Sequence, residues 1–330
     1  MIDLVICIVH HSNEKLLEEL IESIESSKKK FSYEIAILDN NTKTNFINFL
    51  KNKFNNIQTN FSNRIKGYAY NQNLLLKDNY KSSKFSLVIN DDTFFQDEHS
   101  LQILFNFMVE NSNVAAASPQ ILNKDYTPQP VYGPIGTYLS HTLRLCRISK
   151  ITSKRLINFL NKSKLKKILP KFIQSYFSAH VNNSTDTIVD KVSGCCMIIN
   201  NKYINKIGFF DDDNFDMYCD DTDWCLRAAK LNYKLYKVGN SKIIHYGGES
   251  VYPGMVLRKE ITILKYLKKH YPNSFFFRLY LMTLMVHSII QSIYNLIKLF
   301  GDRKYIKYSY EYFKLIFFSF YYFLFNIKVK

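Results

Sequence analysis

Short apolar runs alternate with stretches of helical periodicity over the first part of the chain. The runs predicted as buried strands are Leu4–Val9, Ile35–Leu38, Ile57–Asn60, Phe85–Ile89 and Ala115–Ile121. The stretches with apolar residues three and four apart, predicted as helices, are Glu14–Ser26, Phe46–Phe54, Gly67–Asp78 and Leu101–Asn111. Parallel strands need helical crossovers on the faces of their sheet. The alternation therefore predicts an α/β fold with a mixed, mostly parallel sheet and helices on both faces.

A basic segment rich in Ser and Asn interrupts this alternation over residues 125–190, where we predict a partly helical insert. Regular patterns then return as a strand, two helices and two further strands: Val192–Ile199, Lys202–Ile207, Thr222–Leu231, Leu235–Val238 and Lys242–His245. After Gly254 the composition changes to helical patterns rich in Phe, Tyr, Leu and Lys. The sequence thus predicts an α/β domain over residues 1–254, with the insert, and a helical tail over residues 255–330.

The tail contains a long uncharged stretch, because no Asp, Glu, Lys or Arg occurs from Leu279 to Ile297. Its length permits a helix that crosses a membrane. Polar residues nevertheless recur along one helical face, at Thr283, His287, Gln291, Asn295 and Lys298. Such a stripe favours helices that lie in the plane of a membrane interface. Packing on the α/β domain and a role in dimerisation are the alternatives.

The charge of the chain restricts its partners. The 330 residues carry a formal net charge of +16, and the segment from Tyr126 to Thr185 has basic residues but no acidic ones. Nucleic acid, an anionic membrane surface or a phosphorylated substrate would each match this charge, as would a solvated basic face. No nucleic-acid recognition motif is present, and a basic binding module would not explain the acidic motifs described next.

Cysteine usage and the N-terminus indicate a compartment. The six cysteines show neither zinc-site spacing nor a disulfide framework. The chain begins directly with a predicted strand and lacks the pattern of a signal peptide. We therefore expect a reduced, cytoplasmic environment.

Polar clusters follow three of the predicted strands. They are His10–Asn13, Asp39–Asn41 and Asn90–Asp92. Because ligands of open α/β sheets bind at the carboxyl ends of the strands, the three clusters predict one shared crevice. The carboxylates of the third cluster are suitable ligands for a divalent cation, although Asn-Asp runs also cap helices.

A second acidic cluster and a histidine complete the candidate chemistry. Seven Asp occur between Asp211 and Asp223, and the last three lie at the start of a predicted helix. A carboxylate there could act as a general base, or the cluster could be a solvated loop with helix-capping charges. His245 precedes Gly247 and Gly248, which allow a ligand to approach the backbone closely. It is a candidate metal ligand, with a purely structural histidine as the alternative.

Several of these segments together resemble one known family. They are Val5–Asn13, Ala36–Asn41, Ile89–Asp92, Val192–Ile199, Gly208–Asp211, Phe215–Tyr218, Asp220–Arg227 and His245–Gly248. In order and spacing they are similar to the motifs of family 2 glycosyltransferases with the Rossmann-like GT-A fold. The rhamnosyltransferase-like branch, which builds bacterial surface polysaccharides, is the most similar. The chain departs from that pattern at His11, where the family has Tyr, at Asp220, where it has Glu, and in a longer turn before Gly67.

The resemblance implies an inverting, metal-dependent transfer of a hexosyl or deoxyhexosyl group from a nucleoside-diphosphate sugar to a glycan or a polyprenyl-diphosphate-linked acceptor. It implies Asp221 as the general base, and Asp92 and His245 as ligands of Mn²⁺ or Mg²⁺. The residues that it implies for donor binding are His10, Ser12, Asp39, Asn41, Gly67 and Asp91. Those implied on the acceptor side are Gly194, Asp220 and Trp224.

The resemblance also implies a cellular location. A lipid-linked acceptor, the basic insert and the tail together suggest a peripheral enzyme at the inner face of the cell membrane. An inactive relative is one alternative. A sugar-phosphate nucleotidyltransferase is another, but the glycine-rich loop expected after the first strand is missing, since the first glycine is Gly67.

Overall fold

The structure is a computed structural model that describes residues 1–11, 13–40, 44–54, 56–61, 66–146, 184–247, 254–299, 303 and 305–325. The described residues form two compact units. The first contains residues 1–135, 184–216 and 220–247, and the second contains residues 136–146, 217–219 and the described part of 254–325. Most of the predicted insert lies outside the described residues.

The first unit is built on one mixed sheet. Its strands are β1 Ile2–His10, β2 Tyr33–Asp39, β3 Ile57–Phe61, β4 Ser83–Asn90, β5 Thr93–Phe95, β6 Val114–Leu122, β7 Thr187–Ile188, β8 Cys196–Asn200 and β9 Lys234–His245. Their order is β3-β2-β1-β4-β8-β6-β9-β5, and β7 also pairs with β9. Strands β3, β2, β1 and β4 are mutually parallel, whereas β8 runs antiparallel between β4 and β6.

Helices cover both faces of this sheet. They are α1 Glu14–Glu25, α2 Thr44–Lys53, α3 Tyr68–Asn79, α4 Ser100–Glu110, α6 Ile204–Ile207 and α7 Asp220–Lys230; helix α5, Tyr138–Leu145, belongs to the second unit. Alternate residues of β1 point to opposite sides: Ile6 and Ile8 join a core with α1 and α4, and Val5 and Cys7 join a core with α3 and α7. Burial on both faces confirms the predicted α/β fold.

Three local predictions differ from the structure. Strand β5 was not predicted, because three residues are too few to show a period. The predicted strand from Val192 begins only at Cys196, since the residues before it form a turn in which Cys196 N donates to Ser193 O at 3.2 Å. The two strands predicted between Leu235 and His245 form one continuous strand, and its pairing with β6 shifts register near Pro119.

The second unit is helical. It contains α5 Tyr138–Leu145, α8 Met255–His270, α9 Ser274–Lys298 and α10 Tyr305–Phe325. Arg144 of α5 donates to both carboxylate oxygens of Glu260 on α8 at 2.8 Å, and Tyr280 of α9 donates to the same carboxylate at 3.1 Å. Glu311 of α10 accepts hydrogen bonds from the first backbone N–H groups of α8, so its charge caps that helix. These contacts join all four helices.

Candidate active site

The carboxyl ends of β1, β2 and β4 lie side by side, as the polar clusters predicted. His10 is in register with Asp39, and Val9 with Asn90. The side chain of His10 is fully buried, and its Nδ1 lies 2.8 Å from Asp91 Oδ2. Asp39 is buried as well, at 2% exposure. The predicted donor residues His10, Asp39 and Asp91 therefore meet at one edge of the sheet, whereas Ser12 and Asn41 lie outside the described residues.

Asp92 and His245 are brought together by the short strand β5. Asp92 immediately precedes β5, whose Thr93 is paired with His245 of β9. Tyr246 N donates to Asp92 O at 2.9 Å and closes this end of the ladder. As a result, His245 Nε2 lies 3.3 Å from Asp92 Oδ1, with both side chains less than one-fifth exposed. The two residues predicted as metal ligands are thus direct neighbours.

Gln129 orients the imidazole of His245. Its Oε1 lies 3.0 Å from His245 Nδ1, and its Nε2 donates to the His245 backbone oxygen at 2.9 Å. An N–H on Nδ1 that donates to Gln129 leaves Nε2, on the side of Asp92, as the nitrogen that can bind a metal. Gln129 lies in the region predicted as an insert, so the first part of that region contributes to the site.

The two groups change each other's pKa. Burial alone would lower the pKa of His245, but Cys195 and Asp92 beside it raise this pKa to about 10. Burial alone would raise the pKa of Asp92, but His245 lowers it below its ordinary value. The metal-free pair is therefore an ion pair, and a metal that binds Nε2 must displace the proton.

A divalent cation fits this pair. Asp92 Oδ1 is buried, and its ion pair with His245 Nε2 at 3.3 Å is too loose to count as a hydrogen bond, so a cation that displaces the imidazole proton would find this oxygen beside it. The described part of the chain contains no group of three or more His, Cys, Asp or Glu side chains arranged to hold a metal. One carboxylate and one imidazole are few ligands for a resident ion. They are enough for a cation that completes its shell with substrate phosphates and water.

A second carboxylate site lies at the start of α7. Asp221 Oδ2 accepts a hydrogen bond from Gly194 N at 3.0 Å, and its Oδ1 accepts one from Thr222 N at 2.6 Å. Tyr68 on α3 donates to Gly194 O at 2.9 Å and fixes the same turn from the other side. Asp221 is partly exposed, so it combines a fixed orientation with access to solvent. These are the features required of a general base.

The pKa of the neighbouring Asp220 is raised. Burial raises the pKa of Asp220 to about 8, and the charges of Asp221 and Asp223 contribute in the same direction. Asp220 is 5% exposed. At neutral pH this carboxyl is therefore protonated, and of the adjacent pair the Asp221 side chain is the one that is partly exposed.

The raised pKa predicts a pH-dependent stability. Between about pH 4 and pH 8 the folded chain holds a proton on Asp220 that the unfolded chain has released. The free energy of unfolding should therefore fall as pH rises through this window, by up to about 1.4 kcal/mol per pH unit from this group. Asp220→Asn, which resembles the protonated acid, should flatten that slope in urea titrations at pH 5 to 8. Asp213→Asn, at an exposed position, should retain it. An unchanged slope in Asp220→Asn would contradict the assignment.

The remaining predicted residues are Trp224, Gly67 and Gly194. Trp224 is 1% exposed and its Nε1 donates to Gly208 O at 2.9 Å, so the ring packs in the core, and its place on the acceptor side stays a prediction. At Gly67 a Cβ atom would lie 2.2 Å from Asp216 O, and this close approach of two backbones explains the glycine. At Gly194 a Cβ atom would lie 3.4 Å from Asp221 Cβ, which is ordinary van der Waals contact, so packing does not require a glycine there.

Some residues of the site were not predicted. Besides Gln129, these are Tyr68, Cys195 and Arg227. Arg227 bonds Asp223 at 2.8 Å and Phe209 O at 2.8 Å, and thereby ties α7 to the preceding turn. The spacing of four between Asp223 and Arg227 could have indicated that ion pair. No local signal marks Gln129 or Tyr68, because their partners are distant in the sequence.

Known proteins were compared with the chain by sequence and by structure. No family model matches it. Rhamnosyltransferase WbbL of Escherichia coli (strain K12) is 22% identical over 249 residues, which are 73% of this chain and 82% of that protein. The mannosyltransferase PcManGT of Pyrobaculum calidifontis, solved with GDP-Man and Mn²⁺, aligns with a TM-score of 0.53 at 8% identity. That alignment covers 99% of this chain and 88% of that one.

A second solved structure shares the fold over part of its length. GalNAc-T7, solved with UDP, GalNAc and Mn²⁺, aligns with a TM-score of 0.54 at 12% identity. The alignment covers 79% of this chain, which spans about half (47%) of the length of GalNAc-T7. The chain therefore has the GT-A fold, and in the order of its motifs and in sequence it is similar to the rhamnosyltransferase-like branch of family 2 glycosyltransferases.

Proposed function

We propose that the chain transfers a sugar from a nucleoside-diphosphate sugar to a hydroxyl group of a glycan or lipid-linked glycan, with inversion at the anomeric carbon. One observation carries the proposal. The Gly194–Cys195 turn contacts both candidate centres: Gly194 N bonds Asp221 at 3.0 Å, and Cys195 interacts with His245 beside Asp92. A general base and a site for the leaving diphosphate are thus linked by two consecutive residues.

The chain's residues have distinct tasks in this proposal. The oxygen of the acceptor hydroxyl attacks the anomeric carbon while the bond from that carbon to the diphosphate breaks. Asp221 accepts the proton that the hydroxyl loses in this step. Gly194 and Thr222 hold the Asp221 carboxylate in place for that step. Asp92 and His245 would hold the divalent cation, with Gln129 orienting His245. A bound cation supplies positive charge to the departing diphosphate.

The strand ends are proposed to bind the nucleoside. Asp91 already accepts from His10 through one carboxylate oxygen, which leaves the other for a ribose hydroxyl. Asp39, beside His10 in the sheet, is proposed to contact the base. The names of the similar proteins support a nucleotide-sugar donor and a Mn²⁺ or Mg²⁺ cofactor: WbbL is a rhamnosyltransferase, and both solved structures contain Mn²⁺ with a uridine or guanosine diphosphate group.

We further propose surface polysaccharide synthesis at the inner face of a bacterial membrane as the setting, with residues 1–254 as the catalytic domain and residues 255–330 as the membrane-associated tail. The similarity to WbbL and the composition of the tail support this setting. Among the described helices, α9 (Ser274–Lys298) is long and apolar enough to cross a membrane, although 39% of its most apolar window is buried in the protein.

Slow hydrolysis of the donor tests the proposal before any acceptor is known. Purified protein should release nucleoside diphosphate from at least one member of a panel of UDP-, GDP- and dTDP-sugars when Mn²⁺ or Mg²⁺ is present. Asp92→Ala should lose this release, and Asp213→Asn, at an exposed position away from the two centres, should keep it. If no sugar nucleotide were hydrolysed and none raised the melting temperature of the protein, the chain would have the fold without the activity.

A further inference from the structure

The two long helices of the second unit, α9 and α10, bury polar side chains and expose apolar ones. The buried polar residues are Ser288, Gln291, Ser292 and Asn295 of α9, and Ser309, Glu311 and Ser319 of α10. Where the helices touch, Ser292 Oγ donates to Ser309 O at 3.4 Å and Ser309 Oγ donates to Ser292 O at 3.2 Å. We call α9 and α10 together the helix pair.

This arrangement corrects the interpretation of the polar stripe. From the sequence alone, the stripe favours helices in the plane of a membrane interface, with its polar face outside the lipid. Gln291 and Asn295 are instead 6% exposed, and Thr283 and His287 are half-buried, so most of the stripe lies inside the protein. The outer face of α9 is therefore apolar, and a different argument must decide what covers it.

The exposed face is large. The large apolar side chains there are between 41% and 68% exposed: Phe275, Phe276, Leu279, Met282, Val286, Ile289, Ile290, Ile293, Tyr294, Leu296 and Ile297 on α9, and Ile306, Tyr310, Phe313, Phe317, Phe320, Tyr321, Leu324 and Phe325 on α10. Their summed exposed area is on the order of 1,500 Å², several times the apolar patch that a soluble monomer usually leaves in water. Small polar residues between helices with apolar residues outside are typical of helices that contact lipid.

The charges on the helix pair select the partner. Its exposed charged residues, with those of the described turn, are all basic: Arg278, Lys298, Arg303, Lys307 and Lys314. Glu311 is the one acidic residue in the described part of these helices, and it is buried at the start of α8. A second copy docked symmetrically on this face would bring like charges together. Anionic lipid headgroups provide the opposite charge.

The depth of contact follows from two other features. Lys314 is exposed in the middle of α10, and a spanning helix would place this ammonium near the centre of the bilayer, where cations are strongly disfavoured. The first turns of α9 pack through Tyr280 on the Arg144–Glu260 ion pair, in which Glu260 is buried. Both features are compatible with helices that lie in one leaflet, with the lysines extended to the headgroups.

We infer that the outer face of the helix pair inserts into one leaflet of an anionic lipid bilayer, with its basic residues at the headgroups. The inference extends the membrane location in the proposed function by naming the surface responsible. It concerns lipid contact alone, so donor hydrolysis measured in parallel distinguishes its failure from a failure of the proposed activity.

Vesicle co-sedimentation tests the inference with the full-length protein. Vesicles of phosphatidylcholine with phosphatidylglycerol should bind the wild type better than vesicles of phosphatidylcholine alone, and added salt should reduce the difference. Ile290→Glu and Phe317→Glu should each lower partitioning about tenfold or more. Val109→Glu changes an equally exposed apolar side chain on α4 and should bind as the wild type does. The double variant Lys307→Glu/Lys314→Glu, which alters only exposed side chains, should lose the preference for anionic vesicles.

The opposing outcomes are distinct. The inference is overturned if the wild type binds neither vesicle, or if Ile290→Glu and Phe317→Glu bind as well as Val109→Glu does. It is also overturned, in favour of a second copy, if those two variants turn a dimer into a monomer without changing vesicle binding. For insertion depth, Arg303→Cys in a Cys146→Ser/Cys219→Ser background should react with an impermeant maleimide added outside the vesicles. Protection of that thiol would indicate a spanning arrangement and contradict contact with one leaflet.

Discussion

Asp221→Asn is expected to lower turnover by about two to four orders of magnitude, because an amide cannot accept the proton of the acceptor hydroxyl. Asp220→Asn should cost much less, since Asp220 is buried and already protonated at neutral pH. Single-turnover rates and donor affinity should be measured for both variants. Donor affinity should change little in either, since neither carboxylate is assigned to the diphosphate.

The structure adds a control to this experiment. Both oxygens of Asp221 accept backbone N–H bonds, from Gly194 and Thr222. An asparagine would direct its own N–H₂ at one of these donors and leave it unpaired, which costs about 1–3 kcal/mol. Urea unfolding of Asp221→Asn must therefore accompany the kinetics. If Asp220→Asn lost more turnover than Asp221→Asn at equal folded fraction, the base would be Asp220.

Asp92→Ala and His245→Ala are each expected to abolish or severely lower transfer, and a chelator should do the same to the wild type. Each substitution removes one of two candidate protein ligands, and the described residues offer no group of three that could replace them. Calorimetric titration of Mn²⁺ in the presence of nucleoside diphosphate should show the corresponding loss of affinity. Full activity in excess chelator, with unchanged Mn²⁺ binding, would return both residues to structural roles.

A substitution at Gln129 should weaken metal binding without removing either candidate ligand. Gln129→Met keeps the side-chain length but removes the hydrogen bond to His245 Nδ1, so Mn²⁺ affinity should fall about 10- to 100-fold. Gln96→Met alters an exposed glutamine and serves as the matched control. Equal affinities in the two variants would show that Gln129 does not act through His245.

The fold was predictable because its strands are apolar and its helices are periodic. β1 and β4 each place buried residues on both faces of the sheet, and this continuous apolar pattern predicts a central parallel strand. β5 escaped prediction because it has only three residues, and α5 was expected only as an unplaced part of a partly helical insert, because its segment shows no clear period. In the tail, periodicity located the polar face of α9 but could not show that α10 and other neighbours cover it.

The site was predictable in its strand-end residues and less so elsewhere. His10, Asp39 and Asp91 converge because the carboxyl ends of parallel strands must meet. The meeting of Asp92 and His245 had been expected only from the resemblance, since it depends on the pairing of β5 with β9. The acidic residues of α7 differ in their surroundings: Asp223 is ion-paired with an arginine, and burial raises the pKa of Asp220 so that it stays protonated. Tertiary surroundings of this kind are not encoded in local sequence.

The pairing of β5 with β9 also has a consequence for biosynthesis. In the described part of the first unit β5 pairs with β9 alone, and β9 is its last strand. A nascent chain can assemble β1, β2 and β4 early, because these strands lie close together in the sequence. The pairing of Asp92 with His245 forms only after β9 has been synthesised and has docked across a large sequence separation, a slow type of contact in folding. The nucleoside edge should thus form before the cation pair, and an incomplete chain would fold around a site that cannot yet hold a diphosphate.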